Sequence, residues 1–415
     1  MKKVTTIARR RAADTSSQSD RAFEPLGPDA LSDAIRTKVR DFIRQLVDEE
    51  LEVTLGAGSY ERNAGRRGYR HGSEQRRIGT SLGPVELEVP RARLRQPDGC
   101  SKEFRSRLLP RYSRRARAVD NAIIGAYLGG VNTRKLRGAL RPLLRGTALS
   151  KSAVSRLVMR LKAEFDTWKL RRVDDEGCVY LYLDGFGVKV RAGGQISRMT
   201  VLCVVGVKAD GTKVLLALDL AGSEAEDAWR PVLDDLVARG LCTPKLCVTD
   251  GCGGLENAIA AVWGNVRVQR CAVHKLRNLL AKAPVHAQDA IKDDFHAIMY
   301  AASETDARAA YARFVSRWRG KCQKVVDSLE EAGDRLLTFY GFPPSQWRAL
   351  RTTNVIERLN GEFRRRVKTQ SSLPSEQSVL VLLFSLVASG HIRLRRIDGW
   401  QDMAHVAATT LNSAA

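Results

Sequence analysis

Apolar residues in this chain follow two spacings, and the switch between them divides it. Residues 30–55 and 122–128 carry apolar positions at helical intervals. From 179 onward the apolar residues come instead in short unbroken runs, at 179–183, 199–207, 213–220, 246–248 and 266–268. Such runs, rich in Val, Leu and Tyr and bounded by glycine turns, predict buried strands. Lys208-Ala209-Asp210-Gly211 reads as the turn of a hairpin, and Ser223-Glu224-Ala225-Glu226 as a capping box opening a helix to about residue 238, kinked at Pro231 and stopped by Gly240. Residues 255–260 read as a second helix. From 276 to 350 the spacing is helical again, with almost no strand signal. In the segment 352–366 and just beyond it, Val355, Leu359, Phe363 and Val367 recur every fourth residue and make an apolar stripe.

The predicted order is three mostly antiparallel strands, helix, strand, helix, strand, with the later strands parallel and joined by right-handed crossovers. This is the order of an RNase-H-like core. The expected fold class is therefore α/β, an RNase-H-like core interrupted by an all-helical insertion, preceded by a mainly helical N-terminal region. The boundaries read as a polar, disordered tail at 1–22, a basic region at 23–118 that includes the alternating strand 85–89, a helix-turn-helix-like domain at 119–172, the first part of the core at 173–275, the insertion at 276–350 and the last part of the core with C-terminal helices at 351–415. In the helix-turn-helix reading Gly129-Gly130 ends one helix, Thr133 caps another carrying Arg134 and Lys135, and Ser150 caps a third that presents Lys151, Ser152, Ser155 and Arg156 near its start, where recognition helices meet base edges. A plain helical bundle explains the same pattern.

Charge sharpens this picture. The 415 residues carry a formal charge of +23, which makes nucleic acid the default partner, since neutralising phosphates releases counterions. Between residues 61 and 120 there are 16 Lys/Arg against 7 Asp/Glu, and Arg66, Arg67, Arg91 and Arg93 of that segment are candidate phosphate contacts. A basic membrane-surface protein would also be positive. However, the apolar stretch 379–387 is too short to span a bilayer, and Met1-Lys2-Lys3 leads into polar residues rather than a secretory signal, so a cytoplasmic protein is expected.

Three carboxylates stand where phosphoryl-transfer chemistry would use them. Asp184 closes the first apolar run, Asp250 closes the fourth, and both precede a glycine. Glu357 shares a helix face with Asn360, Gly361, Arg364 and Lys368, a set that suits a metal beside a phosphate backbone. Two Mg²⁺ ions need anionic oxygens from several elements, with positions left for water and phosphate. Against this, an Asp before Gly at a strand end is often a solvated turn, and Asn354 with Glu357 can be a helix cap.

The motifs that contain these acids resemble those of bacterial Mutator-type transposases of the DDE superfamily. The resemblance runs from about residue 45 to the C-terminal region. It rests on Leu183-Asp184-Gly185 with Arg191, on Ser223-Glu224-Ala225-Glu226 with Trp229, on Asp250-Gly251 followed by Gly254-Leu255, on residues 269–278 with Cys271 and His274, and on residues 354–366. It implies that Asp184, Asp250 and Glu357 are a catalytic, metal-binding triad. The implied cofactor is Mg²⁺, with Mn²⁺ as the alternative ion. The implied substrates are double-stranded element ends and target DNA, bound by a homodimer. It also places Arg191, Cys271 and His274 near the active site, and makes Trp347 a residue of the insertion that stacks on a displaced base. A transposase-derived DNA-binding regulator and a nuclease without strand transfer are the competing readings.

Eight cysteines, several inside apolar runs, read as reduced core thiols. Cys271 and His274 have the spacing Cys-x-x-His, and only Cys252 and His286 stand ready to complete a zinc set, so the zinc reading is weak.

Overall fold

The computed structural model describes residues 28–111, 113–129, 140, 151–192, 195–369 and 375–408. The chain divides into two compact units, one built on residues up to Asn121 and one from Ala122 onward.

The first unit is not mainly helical. One long helix, α1 (Pro28–Leu55), lies with an antiparallel sheet of β1 (Gly68–Thr80), β2 (Gly83–Arg95) and β3 (Ser101–Glu103). Val47, Leu51 and Leu55 of the helix are buried with Ile78, Val85, Leu87, Val89, Ala92 and Phe104. The alternation read at 85–89 is the core-facing edge of β2. Its partner β1 gave no strand signal because its stretch from Arg70 to Arg77 is almost wholly polar and faces solvent, held by main-chain pairing and by cross-strand neighbours such as Arg77 opposite Glu86. Helix α2 (Arg117–Leu128) follows. The turn of the helix-turn-helix reading, with Arg134 and Lys135, lies outside the described residues.

The second unit is organised by a five-stranded sheet in the order β6-β5-β4-β7-β8. Helix α3 (Lys151–Lys169) leads into β4 (Cys178–Ala192), β5 (Gln195–Lys208) and β6 (Lys213–Ala221), which pair antiparallel. Gly211, at φ 80, makes the β5–β6 turn where the sequence placed it. Helix α4 (Glu226–Ala238) then crosses to β7 (Leu246–Thr249), and α5 (Gly253–Trp263) to β8 (Val268–Arg270); β7 runs parallel to both β4 and β8. The last strand lies two residues later than read. The capping box does not form: Ala225 is the N-cap of α4 without a side-chain bond, and the Ser223 hydroxyl accepts instead from the Ala225 amide at 3.4 Å.

Both sheet faces are covered, which is why the strands read as continuous apolar runs. Leu181, Leu183, Leu202 and Val204 pack with Trp229, Leu233 and Leu236 of α4 and with Leu255 and Ile259 of α5. The alternate residues of β4 meet the elements that follow the sheet: Tyr180 donates to Gln346 Oε1 at 2.6 Å, Tyr182 donates to the Ala349 carbonyl at 3.1 Å, and the Phe186 ring lies 5.9 Å from that of Phe363. Between β8 and residue 350 the described chain is entirely helical: α6 (Ala272–Lys282), α7 (Gln288–Met299), α8 (Glu304–Trp318), α9 (Gln323–Ala332), several 3₁₀ turns and the short α10 (Trp347–Leu350). Helix α11 (Asn354–Thr369) buries Leu359, Phe363 and Val367 of the predicted stripe together with Ile356, while Val355 is only half-buried. Helix α12 (Glu376–Ala388) is capped by Ser375 and buries residues 379–386, with Phe384 against the rings of Phe165 and Trp168 of α3. No helix among the described residues is long and apolar enough to cross a membrane.

Candidate active site

Asp184 does not end its strand. β4 continues eight residues beyond it, and Asp184 is paired with Cys203 of β5, its side chain only 5% exposed. Alternation along the strand puts it on the face of Tyr182 and Phe186, the face that α11 covers. The parallel register sets Tyr182 opposite Val248, and Asp184 and Asp250 each follow two residues further along these adjacent strands, near enough for the charge of Asp250 to act on Asp184. Asp250 does sit where β7 turns: Gly251 has φ 93, the Asp250 carboxylate accepts from the Cys252 amide at 3.0 Å, and the Arg270 guanidinium donates to the Gly251 carbonyl at 3.0 Å.

Helix α11 brings the third acid. Asn360, fully buried, donates its amide to Asp184 at 2.6 Å and so ties the helix to β4 one turn beyond Glu357. Glu357 lies 3.3 Å from His274 Nε2 and 4.0 Å from the Arg277 guanidinium. The other ring nitrogen of His274 is 3.4 Å from the Thr353 hydroxyl, and the Cys271 sulfur accepts from the Thr353 amide at 3.3 Å and from its hydroxyl at 3.1 Å. Thr353 thus joins the start of α6 to the start of α11.

The electrostatics are those of an anion-crowded site. Burial, and next the negative charge of Asp250, push Asp184 up to about 7 against the opposing pull of His274 and Asn360. His274 is raised to about 9, chiefly by its hydrogen bond with Cys271 and further by the charges of Cys271, Glu357 and Asp184, which together outweigh its burial. Burial drives the Cys271 thiol up, but the bonds from His274 and Thr353 prevail and hold it below its ordinary value. An imidazolium beside the Glu357 carboxylate is the result.

A fourth carboxylate, Glu224, expected from its Ser-x-x-Glu pattern to belong to a helix cap, lies beside Asp184 and Asp250. The Glu224 carboxyl rests on the bare backbone of Gly185: a Cβ there would lie 2.5 Å from its Oε1. Its main chain is gripped by the Asp250 turn, with Gly254 close against the Glu224 carbonyl and the Cys252 thiol donating to that carbonyl at 3.3 Å. Burial, then Asp250, raise its proton affinity, and no described cation pairs with it. Gly185, next to Asp184, and Gly254, four residues after Asp250, are the signal the sequence offers.

By donor type these groups suit a hard divalent cation: Asp184, Asp250, Glu224 and Glu357 offer oxygens only, and the Asn360 Oδ1 is buried without a partner next to Asp184, although no three of the four carboxylates have oxygens within 4.8 Å of one another. The zinc set does not assemble. Cys271, His274 and Glu357 have ligand atoms within 4.8 Å of one another, but Cys252 bonds to Glu224 instead and His286 is exposed.

The other predicted residues divide. Arg191, seven residues along β4 from Asp184 and so about 23 Å away on the opposite strand face, is not active-site-adjacent. Asn360 faces Asp184, not the DNA-facing exterior, and Trp347 is packed, its indole donating to the Phe342 carbonyl at 2.7 Å with the Tyr340 ring 4.7 Å away. Arg66 is committed to the carbonyls of Gly68 and Glu61, and Arg91 forks onto Glu103 at 3.0 and 2.6 Å. Arg67, Arg93, Ser155, Arg156, Arg364 and Lys368 are exposed, with Arg364 also over the Phe186 ring; the side chains of Lys151 and Ser152 lie outside the description.

The model of the transposase family Mutator matches residues 9–396. The chain belongs to the Mutator family of transposases. Its relatives include the transposase for insertion sequence element ISRM5 of Rhizobium meliloti, 33% identical over 86% of this chain and 88% of that one. The transposase for IS406 of Burkholderia multivorans is 34% identical over 83% and 88%, and that for IS256 in transposon Tn4001 of Staphylococcus aureus 29% identical over 84% and 87%. A transposase acts on DNA, and transposases of this family work with divalent metal ions.

Proposed function

We propose that this transposase binds the terminal inverted repeats of an insertion sequence and cuts and joins DNA strands at a centre formed by Asp184, Asp250 and Glu357, on an RNase-H-like core interrupted by the helical block 272–350. The observation that carries the reading is that Asp184 and Asp250 follow adjacent parallel strands closely enough for their charges to interact, while Asn360, one turn from Glu357 on the same helix, hydrogen-bonds to Asp184. Mg²⁺, or Mn²⁺ in its place, held by these three carboxylates would neutralise charge at phosphorus and activate the attacking oxygen. Glu224 adds an oxygen to this donor set. His274 orients Glu357, Asn360 orients Asp184, and the exposed Arg364 and Lys368 on the same helix hold the phosphate backbone. Water attacks phosphorus and releases a 3′-hydroxyl; that hydroxyl then attacks a target phosphodiester and displaces a second 3′-oxygen. The basic N-terminal unit, with Arg67 and Arg93, and the start of α3, with Ser155 and Arg156, supply element-end binding. Pairing of two ends calls for a homodimer, working on cytoplasmic DNA.

Incubating the protein with labelled element ends, Mg²⁺ and a target plasmid should give nicked ends and ends joined to plasmid. Nicks without joint products would make it a nuclease, and binding without nicks a regulator.

Metal affinity should depend on pH with a definite sign. Because Asp184 keeps its proton up to about 7, metal and proton compete below that pH. Calorimetric Mg²⁺ affinity should rise by up to about tenfold per pH unit below 7 and level off above it. The same slope in Asp184→Asn would remove Asp184 from the metal site.

A further inference from the structure

Helix α11 has a second charged face. At 3.6 residues per turn, Arg358, Glu362, Arg365 and Arg366 lie roughly 140° around the helix from the line of Glu357, Arg364 and Lys368. They form one wall of a cavity of about 430 Å³, closed by Lys213 at the start of β6 and by the segment after α12 that carries Arg393 and Arg395. Among the described residues six cations thus line it against a single acid, Glu362, which is already paired with Arg365.

Elsewhere in this unit arginines are usually matched, as Arg239 is by Asp235 and Arg317 by Asp294. Here they are not: no described carboxylate pairs with Arg358, Arg393 or Arg395, and all three are exposed. Lys213 is held below its ordinary proton affinity, first by burial and also by the charge of Arg358, despite Asp398. Cations gathered in a concavity repel one another unless an anion joins them. The positive groups come from three separate elements, which suits several consecutive phosphates better than one. Among the described residues no Phe, Tyr or Trp lines the cavity and His391 is its one aromatic ring, so it offers chiefly backbone contacts.

We infer that this cavity seats the phosphate backbone of a second DNA duplex, apart from the strand at the carboxylate cluster. Strand transfer needs two duplexes, and the inference rests on the proposed cleavage face only in calling this one the second. Its position has a consequence for the reaction: DNA seated here braces α11 from behind and so supports the helix that carries Glu357.

The test uses the full chain, without Mg²⁺, preloaded with an element-end duplex, and titrates a labelled duplex of unrelated sequence over a salt series. The variant Arg358→Ala/Arg393→Ala/Arg395→Ala should bind this duplex at least about tenfold more weakly, with the slope of log affinity against log salt smaller by roughly 2.7, about 0.9 for each lost phosphate contact. Replacing the same three by lysine should keep the slope, which separates charge from misfolding. Arg364→Ala/Lys368→Ala should instead reduce the slope for the element end. An unchanged slope for the second duplex in the triple alanine variant overturns the inference. Nicking of element ends with Mg²⁺ should stay within about twofold in the triple variant, because these residues position backbone and touch no reacting atom. Absence of nicking in the unaltered protein would defeat the cleavage reading and leave the slope measurement standing.

Discussion

Asp184→Asn, Asp250→Asn and Glu357→Gln should each lower strand cleavage by about a thousandfold or more, equivalent to roughly 4 kcal/mol of transition-state stabilisation, while element-end binding stays near its original strength. Each change replaces a carboxylate oxygen by an amide of almost the same volume. Packing around β4, β7 and α11 therefore persists while the anionic donors are lost. Asp184→Asn has an added consequence. The native side chain is buried and accepts from Asn360, and an amide can keep that contact through its own oxygen. The folded state then no longer carries a buried acid whose ionisation is opposed by Asp250. Because its folded proton affinity is raised, that acid favours the fold at low pH and loses this contribution as pH climbs from about 4 toward 7. The metal-free Asn variant should accordingly melt at least as high as the parent at neutral pH. A gel-based cleavage assay with thermal denaturation in parallel decides this. A variant that cleaves at near the parental rate would strip its residue of the assignment, and one that melts far below the parent would show a folding defect instead.

What the sequence displayed and what it concealed follow from where the information sits. The strands at 179–220 and 246–249 were legible because both sheet faces are covered and the runs are unbroken. The helix of Glu357 was legible from Val355, Leu359 and Phe363. Strand β1 was hidden: from Arg70 to Arg77 it turns polar side chains to water and is held by main-chain pairing that leaves no trace in composition. The end of β4 was misjudged because Gly185 and Gly187 look like turn residues, whereas Gly185 continues the ladder opposite Leu202. Because the strand runs on through Gly185, Arg191, which the resemblance places near the active site, lies far along an extended strand from Asp184. The acids could be nominated one by one, but their convergence depends on register and on Asn360, whose polar side chain read as a DNA contact and is buried. Glu224 was missed for a related reason. Its partners are backbone surfaces of two glycines distant in sequence, and the Ser-x-x-Glu pattern around it suggested a cap that the chain does not form.

Gly185→Ala tests that last residue without touching any carboxylate. An added Cβ would lie 2.5 Å from the Glu224 Oε1 and 2.6 Å from its Cδ, closer than atoms can stay. The obstruction is the end of a flexible side chain, and Gly185 sits in a regular strand with φ outside the left-handed region, so Glu224 can swing away at little cost to the fold. Stability should change by less than about 1 kcal/mol, as for other tolerated strand substitutions. Cleavage should fall by roughly ten- to a hundredfold, because the carboxylate leaves the oxygen cluster, and Mg²⁺ affinity measured by calorimetry should fall with it. Glu224→Gln, which keeps the volume and removes the charge, should give a similar loss. The double variant should be no worse than either single one, since both act through the same group and their effects cannot add. If Gly185→Ala impairs cleavage while Glu224→Gln does not, the added methyl acts by displacing Asp184 along β4, and Glu224 has no part in holding the metal.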